Sequence, residues 1–308
     1  MSSNSKEITI RHRGKAGECP INEFDLNSMV DHPSIVMIAK RGSGKSWVVR
    51  AILQFFSKKV PVGIIISPTD RMSSFYSKFI PYTYIYYTFQ SETIERLLTR
   101  QKDIIKRQKE RQKDGKDTNT RTFIVMDDCL SSKGDWAKDP AISELLFNGR
   151  HYHIMYILTM QFPLGIKPEL RCNFDYVFLL ADDTVGNQKR IYEHYAGMFP
   201  NFEAFRQVFV QLTADFGSMV IVNRGVRNNF LEKVYYYKAP SCGDFDGLIG
   251  GCQYQQFHKD NYNDEWNNNS GEVNFEKKFS KKEIQSKGLV VNKVQNNFPS
   301  QRQKRCSR

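Results

Sequence analysis

The segment Ala39-Lys40-Arg41-Gly42-Ser43-Gly44-Lys45-Ser46 constrains the fold of this 308-residue chain more than any other feature. It follows an apolar run and opens a stretch with helical periodicity, which is the context that a phosphate-binding loop requires. The usual pattern begins with glycine, whereas this chain has Ala39. Because alanine is the smallest substitute and needs only an allowed φ at a strand end, the segment still predicts a phosphate-binding loop.

The residue types in this loop suit phosphate binding for chemical reasons. Glycines at 42 and 44 let the backbone curl so that its N–H groups point at phosphate oxygens, and the following helix directs its positive end to the same charge. Lys45 is predicted to neutralise the β- and γ-phosphates, and Ser46 to coordinate Mg²⁺, so the predicted cofactors are ATP and Mg²⁺. The predicted nucleotide-binding residues are Ala39, Lys40, Arg41, Gly42, Ser43, Gly44, Lys45, Ser46 and Trp47.

Short apolar runs alternate with helical stretches along the first three quarters of the chain, which is typical of a mostly parallel sheet flanked by helices. Strands are predicted at Ser34–Ala39, Gly63–Ser67, Tyr84–Tyr87, Phe123–Asp127, Ile154–Thr159, Tyr176–Leu180, Ser218–Val222 and Lys233–Tyr237. Helices are predicted at Lys45–Phe56, Ser91–Lys113, Ala141–Phe147, Asn187–Ala196 and Phe202–Leu212. The predicted fold class is therefore α/β, with a RecA-like core.

The composition divides the chain into three predicted parts. Residues 1–30 are predicted to be an N-terminal extension, and residues 31–240 the ATPase domain. Apolar periodicity is lost after Pro240, where Asn, Gln and Lys accumulate. Residues 241–308 are therefore predicted to be a basic tail that is ordered at most in part.

Two acids follow a second apolar run, Phe123-Ile124-Val125-Met126-Asp127-Asp128. A strand that is apolar on both faces is buried in its sheet, so acids at its carboxyl end emerge at the edge where the phosphate loop lies. Asp127 is predicted to hold the Mg²⁺ shell, and Asp128 to orient the attacking water as a base. Many motor ATPases have the longer Glu at the second position, so a bridging water is expected beside Asp128.

A third apolar run, Ile154 to Met160, ends in Gln161. If this strand lies between the other two, Gln161 can hydrogen-bond the attacking water or the γ-phosphate; a glutamine that caps a strand end is the alternative. Arg150 and Arg171 each precede a core strand. Either could be an arginine finger for a neighbouring subunit, with Arg171 slightly preferred, and intrachain salt bridges are the alternative.

The formal net charge is +12, from 45 Lys and Arg against 33 Asp and Glu. Residues 273–308 hold ten Lys and Arg and two Glu, a balance of +8, so the rest of the chain carries +4 (12 − 8). This balance favours a polyanionic partner such as nucleic acid, although most of the excess lies in the tail. No run approaches the roughly 18 apolar residues of a membrane span, and the polar start and six scattered cysteines predict a soluble, intracellular protein.

A combination of motifs goes beyond the phosphate loop: Asp127-Asp128, Gly149-Arg150-His151 ahead of the next strand, and Thr159-Met160-Gln161 at the end of that strand. From about Ser34 to Val222 the chain resembles the genome-packaging ATPases of the large nucleocytoplasmic DNA viruses, which include the poxvirus packaging ATPase and belong with the FtsK/HerA motors.

This resemblance implies a P-loop NTPase of the additional-strand type that hydrolyses ATP as a ring, a pentamer or hexamer, and drives double-stranded DNA into a preformed capsid. It also implies capsid or portal-vertex proteins as partners, and a location in the virion or in the viral factory of the host cytoplasm.

Two other functions fit the same motifs. A helicase-like or DNA-repair ATPase would share the core, and a non-catalytic nucleotide-binding virion protein would share the loop without using Asp128 to activate water. ATP turnover stimulated by double-stranded DNA separates the packaging motor from both.

Overall fold

A computed structural model describes residues 9–12, 15–18, 20–129, 138–225, 230–241 and 247–263. Its strands, in chain order, are β1 (Thr9–His12), β2 (Lys15–Glu18), β3 (Ser34–Ile38), β4 (Val62–Ile66), β5 (Ile85–Tyr86), β6 (Thr122–Asp127), β7 (Ile154–Met160), β8 (Tyr176–Leu180), β9 (Gly217–Val222) and β10 (Val234–Lys238). The last eight correspond to the eight predicted strands. Most of the predicted tail, residues 264–308, lies outside the described residues.

Within this part of the chain, β3 to β10 form one sheet in the order β10-β9-β8-β3-β7-β6-β4-β5, and β1 pairs with β2 separately. The run from β8 to β5 is parallel throughout, whereas β9 and β10 are antiparallel to their neighbours. The predicted α/β fold with a mostly parallel sheet is therefore confirmed.

The central strands are apolar because both of their faces are covered. Every residue of β3, β6 and β7 is buried, as in parallel sheets with a helix layer on each side. One apolar cluster joins β3 residues such as Met37 to Ile52 and Phe56 of the helix that follows the loop. On the other face, the Tyr156 hydroxyl donates a hydrogen bond to the Leu146 carbonyl, 3.1 Å away, in the helix before β7.

The helices, in chain order, are α1 (Lys45–Phe56), α2 (Asp70–Ser73), α3 (Ser91–Lys113), α4 (Pro140–Asn148), α5 (Pro168–Arg171), α6 (Val185–Tyr195), α7 (Phe202–Leu212) and α8 (Cys252–Asn261). α1, α3 and α7 have the predicted bounds, and α4 and α6 differ from prediction by one or two residues at each end. The short α2 and α5, and α8, were not predicted. No helix among the described residues combines the length and apolar character that a membrane crossing needs.

Described residues beyond 240, among them Ile249, Gly251 and Tyr254, also pack on the sheet domain. Ile249 and Tyr254 are buried, and the Tyr254 hydroxyl donates to the Gly63 carbonyl at 2.8 Å. The Gly251 amide donates to the Pro61 carbonyl at 2.7 Å. The compact unit that contains the sheet therefore extends to Asp260.

Candidate active site

The backbone of the loop between β3 and α1 has the conformation that its glycines predict. Ala39 is buried, and its amide donates to the Met160 carbonyl at 3.0 Å, which fixes the loop to the end of β7. Gly42 and Gly44 have φ values of 80° and 93°, in the left-handed region that residues with a side chain rarely adopt. Gly44 is also the N-cap of α1, so the loop leads directly into a helix N-terminus, whose first N–H groups have no partner within the helix.

Lys45, the first residue of α1, lies between two carboxylates. Its Nζ is 3.2 Å from Asp127 Oδ1 and 2.5 Å from Asp128 Oδ2, and its side chain is 10% exposed. One positive charge thus faces two negative charges in a partly desolvated site. These three side chains together carry one net negative charge.

The strand order explains how these groups meet. β7 lies between β3, which leads into the loop, and β6, which ends at Asp127. Asp127 pairs in register with Thr159, and Ile38 with Met160, so the three strands end at one edge. The condition set for Gln161 is therefore met: its strand lies between the two others.

Thr159 organises the acids, a role that was not predicted from the sequence. Its hydroxyl donates to Asp127 Oδ1 at 2.5 Å and accepts from the Asp128 amide at 3.2 Å. Asp128 has a φ of 50°, which a short polar side chain tolerates, and Gln161 Nε2 donates to its Oδ2 at 3.0 Å. A hydroxyl at the end of an otherwise apolar strand was the sequence signal that could have identified Thr159.

Tyr76 is a second residue that sequence analysis missed. It is buried, and burial together with the neighbouring Asp127 carboxylate raises the pKa of its hydroxyl well above the usual value. Its amide donates to the buried Asp70 carboxylate, whose Oδ1 is 2.7 Å away. Nothing in the sequence around Tyr76 indicates this position, because it depends on the path of the chain after β4.

The predicted arginines lie away from this cluster. Arg150 is exposed in the turn before β7, and it lines a cleft with Ser34 and Asp175 at the amino ends of the strands. Arg171, at the end of α5, is held by its own chain: its Nε donates to the Ile166 carbonyl at 2.9 Å, and its guanidinium lies 5.6 Å from the centre of the Tyr195 ring. Neither arginine joins Lys45 within one subunit.

A cleft of about 840 Å³ opens over the loop. Its lining includes the predicted residues Lys40, Arg41, Gly42, Gly44, Lys45, Ser46, Trp47, Asp127, Asp128 and Gln161. Phe75, Phe216 and residues 238–241 line it as well. Lys40 also pairs with the exposed Asp183, Nζ to Oδ1 2.5 Å. The volume lies within the usual range for small-molecule sites.

This fold and site define a P-loop NTPase of the additional-strand type, in which one strand separates the loop strand from the strand that bears the acids. The chain belongs to the poxvirus A32 protein family, whose model matches residues 21–184. The resemblance to viral packaging ATPases is thereby confirmed.

Relatives of this chain occur in large DNA viruses. An uncharacterized protein of Acanthamoeba polyphaga mimivirus is 47% identical over 244 residues, covering 79% of this chain and 84% of the relative. An uncharacterized protein of Invertebrate iridescent virus 6 is 32% identical over 262 residues, covering 82% and 98%. In both comparisons the match covers most of this chain and most of the relative.

Two solved structures are similar to this chain, and the first shares its fold. The conjugation coupling protein TcpA of pCW3, solved with ATPγS, has a TM-score of 0.50 at 12% identity, covering 83% of this chain and 71% of that protein. The genome packaging NTPase of Sulfolobus turreted icosahedral virus 2, in complex with ATPγS, has a TM-score of 0.48 at 16% identity, covering 68% and 98%.

Proposed function

We propose that this protein is an ATP-hydrolysing motor that moves double-stranded viral DNA into a preformed capsid. One observation carries the hydrolytic part: Lys45 of the phosphate loop lies within ion-pair distance of both consecutive acids at the end of β6. Membership of the poxvirus A32 protein family supports the packaging part, as does the +12 formal charge.

The loop and acids fit ATP with Mg²⁺. The Ser46 hydroxyl and the Asp127 carboxylate are oxygen donors, which Mg²⁺ prefers, and Mg²⁺ commonly binds one or two protein groups together with substrate phosphates. When bound, the ion neutralises charge on the phosphates. Lys45, released from the carboxylates, binds the β- and γ-phosphate oxygens.

Asp128 is the proposed base that orients the attacking water. Its left-handed backbone and its hydrogen bond from Gln161 hold the carboxylate next to Lys45. Gln161 in turn contacts the water or the γ-phosphate and is released when that phosphate leaves. The bond to Asp128 couples this sensor directly to the base.

The γ-phosphate also needs positive charge from outside this cluster. The proposed source is an arginine of a neighbouring subunit in a ring, Arg150 or Arg171. Arg150 is exposed at the sheet edge opposite the loop, whereas Arg171 is fixed by Ile166 and Tyr195 of its own chain. A ring that packs these two edges together would bring Arg150 to the next nucleotide, whereas Arg171 would have to leave Ile166 and Tyr195 to reach it.

The decisive test is ATP turnover by the purified full chain with and without duplex DNA. The motor predicts turnover that duplex DNA stimulates, and loss of that turnover in Lys45→Ala. Lys58→Ala, an exposed lysine just beyond the far end of α1, is the matched control and should keep wild-type turnover. ATP turnover that duplex DNA does not stimulate would contradict the proposed DNA translocation. ATP binding without turnover would favour a non-catalytic nucleotide-binding virion protein.

Mixed rings test the arginine. Lys45→Ala subunits keep their arginines, and Arg150→Ala or Arg171→Ala subunits keep an intact loop, so a mixture should recover turnover that neither variant has alone. An arginine finger increases the rate of hydrolysis on the order of 10³-fold, so recovery of even a small fraction of the wild-type turnover is measurable. If both mixtures stay inactive while all variants assemble, neither arginine acts in trans.

A further inference from the structure

Phe216 combines exposure with an unusual backbone. Its side chain is 66% exposed, and its φ of 62°, like the 50° of Asp215 before it, lies in the left-handed region. This region is unfavourable for a residue with a side chain, and a bulky aromatic there is a rare outlier. Such a conformation persists only where the surroundings enforce it, and it is found preferentially at functional sites.

The turn after α7 is constrained on both sides of Asp215 and Phe216. The Thr213 hydroxyl donates to the Phe209 carbonyl at 2.8 Å and ties the turn to the end of α7. A Cβ on Gly217, which starts β9, would lie 2.3 Å from the Leu212 carbonyl oxygen, so the chain can pass only with glycine there. The backbone therefore has little freedom to move the Phe216 ring elsewhere.

The ring lies over the phosphate loop. A Cβ built on Gly44 would be 3.4 Å from Cδ1 and 3.5 Å from Cβ of Phe216, which is van der Waals contact. Trp47, 47% exposed in the first turn of α1, lines the same cleft, as do residues 238–241 after β10. The lining of the cleft thus includes two exposed aromatic rings, Phe216 and Trp47, in addition to Lys45 and the two acids.

We propose that Phe216 is the stacking platform for the base of the bound nucleotide, with Trp47 and residues 238–241 forming the remaining walls. The inference rests on the proposed nucleotide site and assigns its base-binding part. In this proposal, a nucleotide with its phosphates at Lys45 extends its base away from the acids, toward Phe216 and Trp47. Stacking uses the π-face that every base has, so Phe216 supplies affinity for the base rather than a choice among bases.

The test compares two ligands of the full chain by titration calorimetry in the presence of Mg²⁺: ATP, and tripolyphosphate, which has the phosphates without a base. Phe216→Asn removes the ring, while asparagine tolerates the left-handed backbone. It should raise the Kd for ATP by about tenfold to hundredfold, the typical effect of losing an aromatic stacking partner, and leave the Kd for tripolyphosphate unchanged.

Two further variants sharpen the result. Phe216→Tyr keeps the ring and should restore ATP binding, and Phe147→Ala removes an aromatic ring of similar exposure, 48%, from α4 and should leave both ligands unaffected. An unchanged Kd for ATP in Phe216→Asn, or an equal rise for both ligands, would overturn the stacking role. Wild-type protein that binds neither ligand would instead overturn the nucleotide site, and this inference with it.

Discussion

Replacing Thr159 with valine removes one hydroxyl from the centre of the candidate active site. The side chain is fully buried and nearly the same size as valine, so the change deletes two hydrogen bonds with little change in volume. One bond goes to a carboxylate, Asp127, and the other comes from the backbone amide of Asp128. Both acids then lose the group that fixes their relative position.

The expected loss has two parts. A hydrogen bond to a charged group contributes about 1.5–3 kcal/mol, and a buried donor left without a partner costs about 1–3 kcal/mol, partly offset by water that reaches Asp128. We therefore expect the free energy of unfolding to fall by about 2–3 kcal/mol. Groups that orient a metal ligand typically contribute 10- to 100-fold to activity, so kcat should fall by about that factor.

The measurements are urea unfolding and ATP turnover on Thr159→Val beside a matched control, Thr122→Val. Thr122 is also buried, on the adjacent strand β6, but its hydroxyl donates to the Val62 carbonyl at 3.1 Å at the opposite edge of the sheet. The control should lose stability without losing kcat. Equal kcat in the two variants, once both are fully folded, would refute the positioning role of Thr159.

Three further predictions concern single sites. Asp128→Asn should bind ATP with near wild-type affinity, because Ser46 and Asp127 still hold Mg²⁺, but should turn it over at least about 100-fold more slowly. Equilibrium binding and single-turnover rates measure the two effects. A loss of ATP affinity in this variant would contradict the separate roles of Asp127 and Asp128. Gly63→Ala should lower the free energy of unfolding, measured in urea, by about 1–3 kcal/mol, because the added Cβ would lie 2.3 Å from the Phe123 ring. A variant as stable as the wild type would contradict this packing argument. Burial lowers the pKa of His32 from 6.5 to about 4, so between these pH values the unfolded chain binds a proton that the folded chain does not, and the free energy of unfolding should fall as the pH drops from 6.5 toward 4. In urea unfolding at several pH values, His32→Gln should flatten this pH dependence. An unchanged pH dependence in the variant would exclude His32 as its source.

Local sequence determined much of the fold. The bounds of α1, α3 and α7 followed from helical periodicity, and the central strands from apolar runs bounded by polar residues. The glycines of the phosphate loop were equally readable, because Gly42 and Gly44 must adopt φ values that other residues avoid. These features depend on neighbours in the chain, which is why the sequence alone predicted them.

The elements that were missed depend on distant partners. α8 has weak apolar periodicity, and it packs because the buried Tyr254 reaches Gly63, 191 residues earlier in the chain. The short α2 and α5 have too few residues for a periodic signal. Their formation follows from tertiary contacts that can override local preference, so no window of sequence contained the information.

Sequence motifs alone predicted Lys45 in the loop and the two acids after an apolar strand. Their meeting at one edge required the folded sheet, because the place of β7 between β3 and β6 depends on strand pairing between distant parts of the chain. The same pairing sets Thr159 against Asp127, 32 residues earlier. The turn after α7 likewise holds Phe216 over Gly44, a contact that only the folded chain creates.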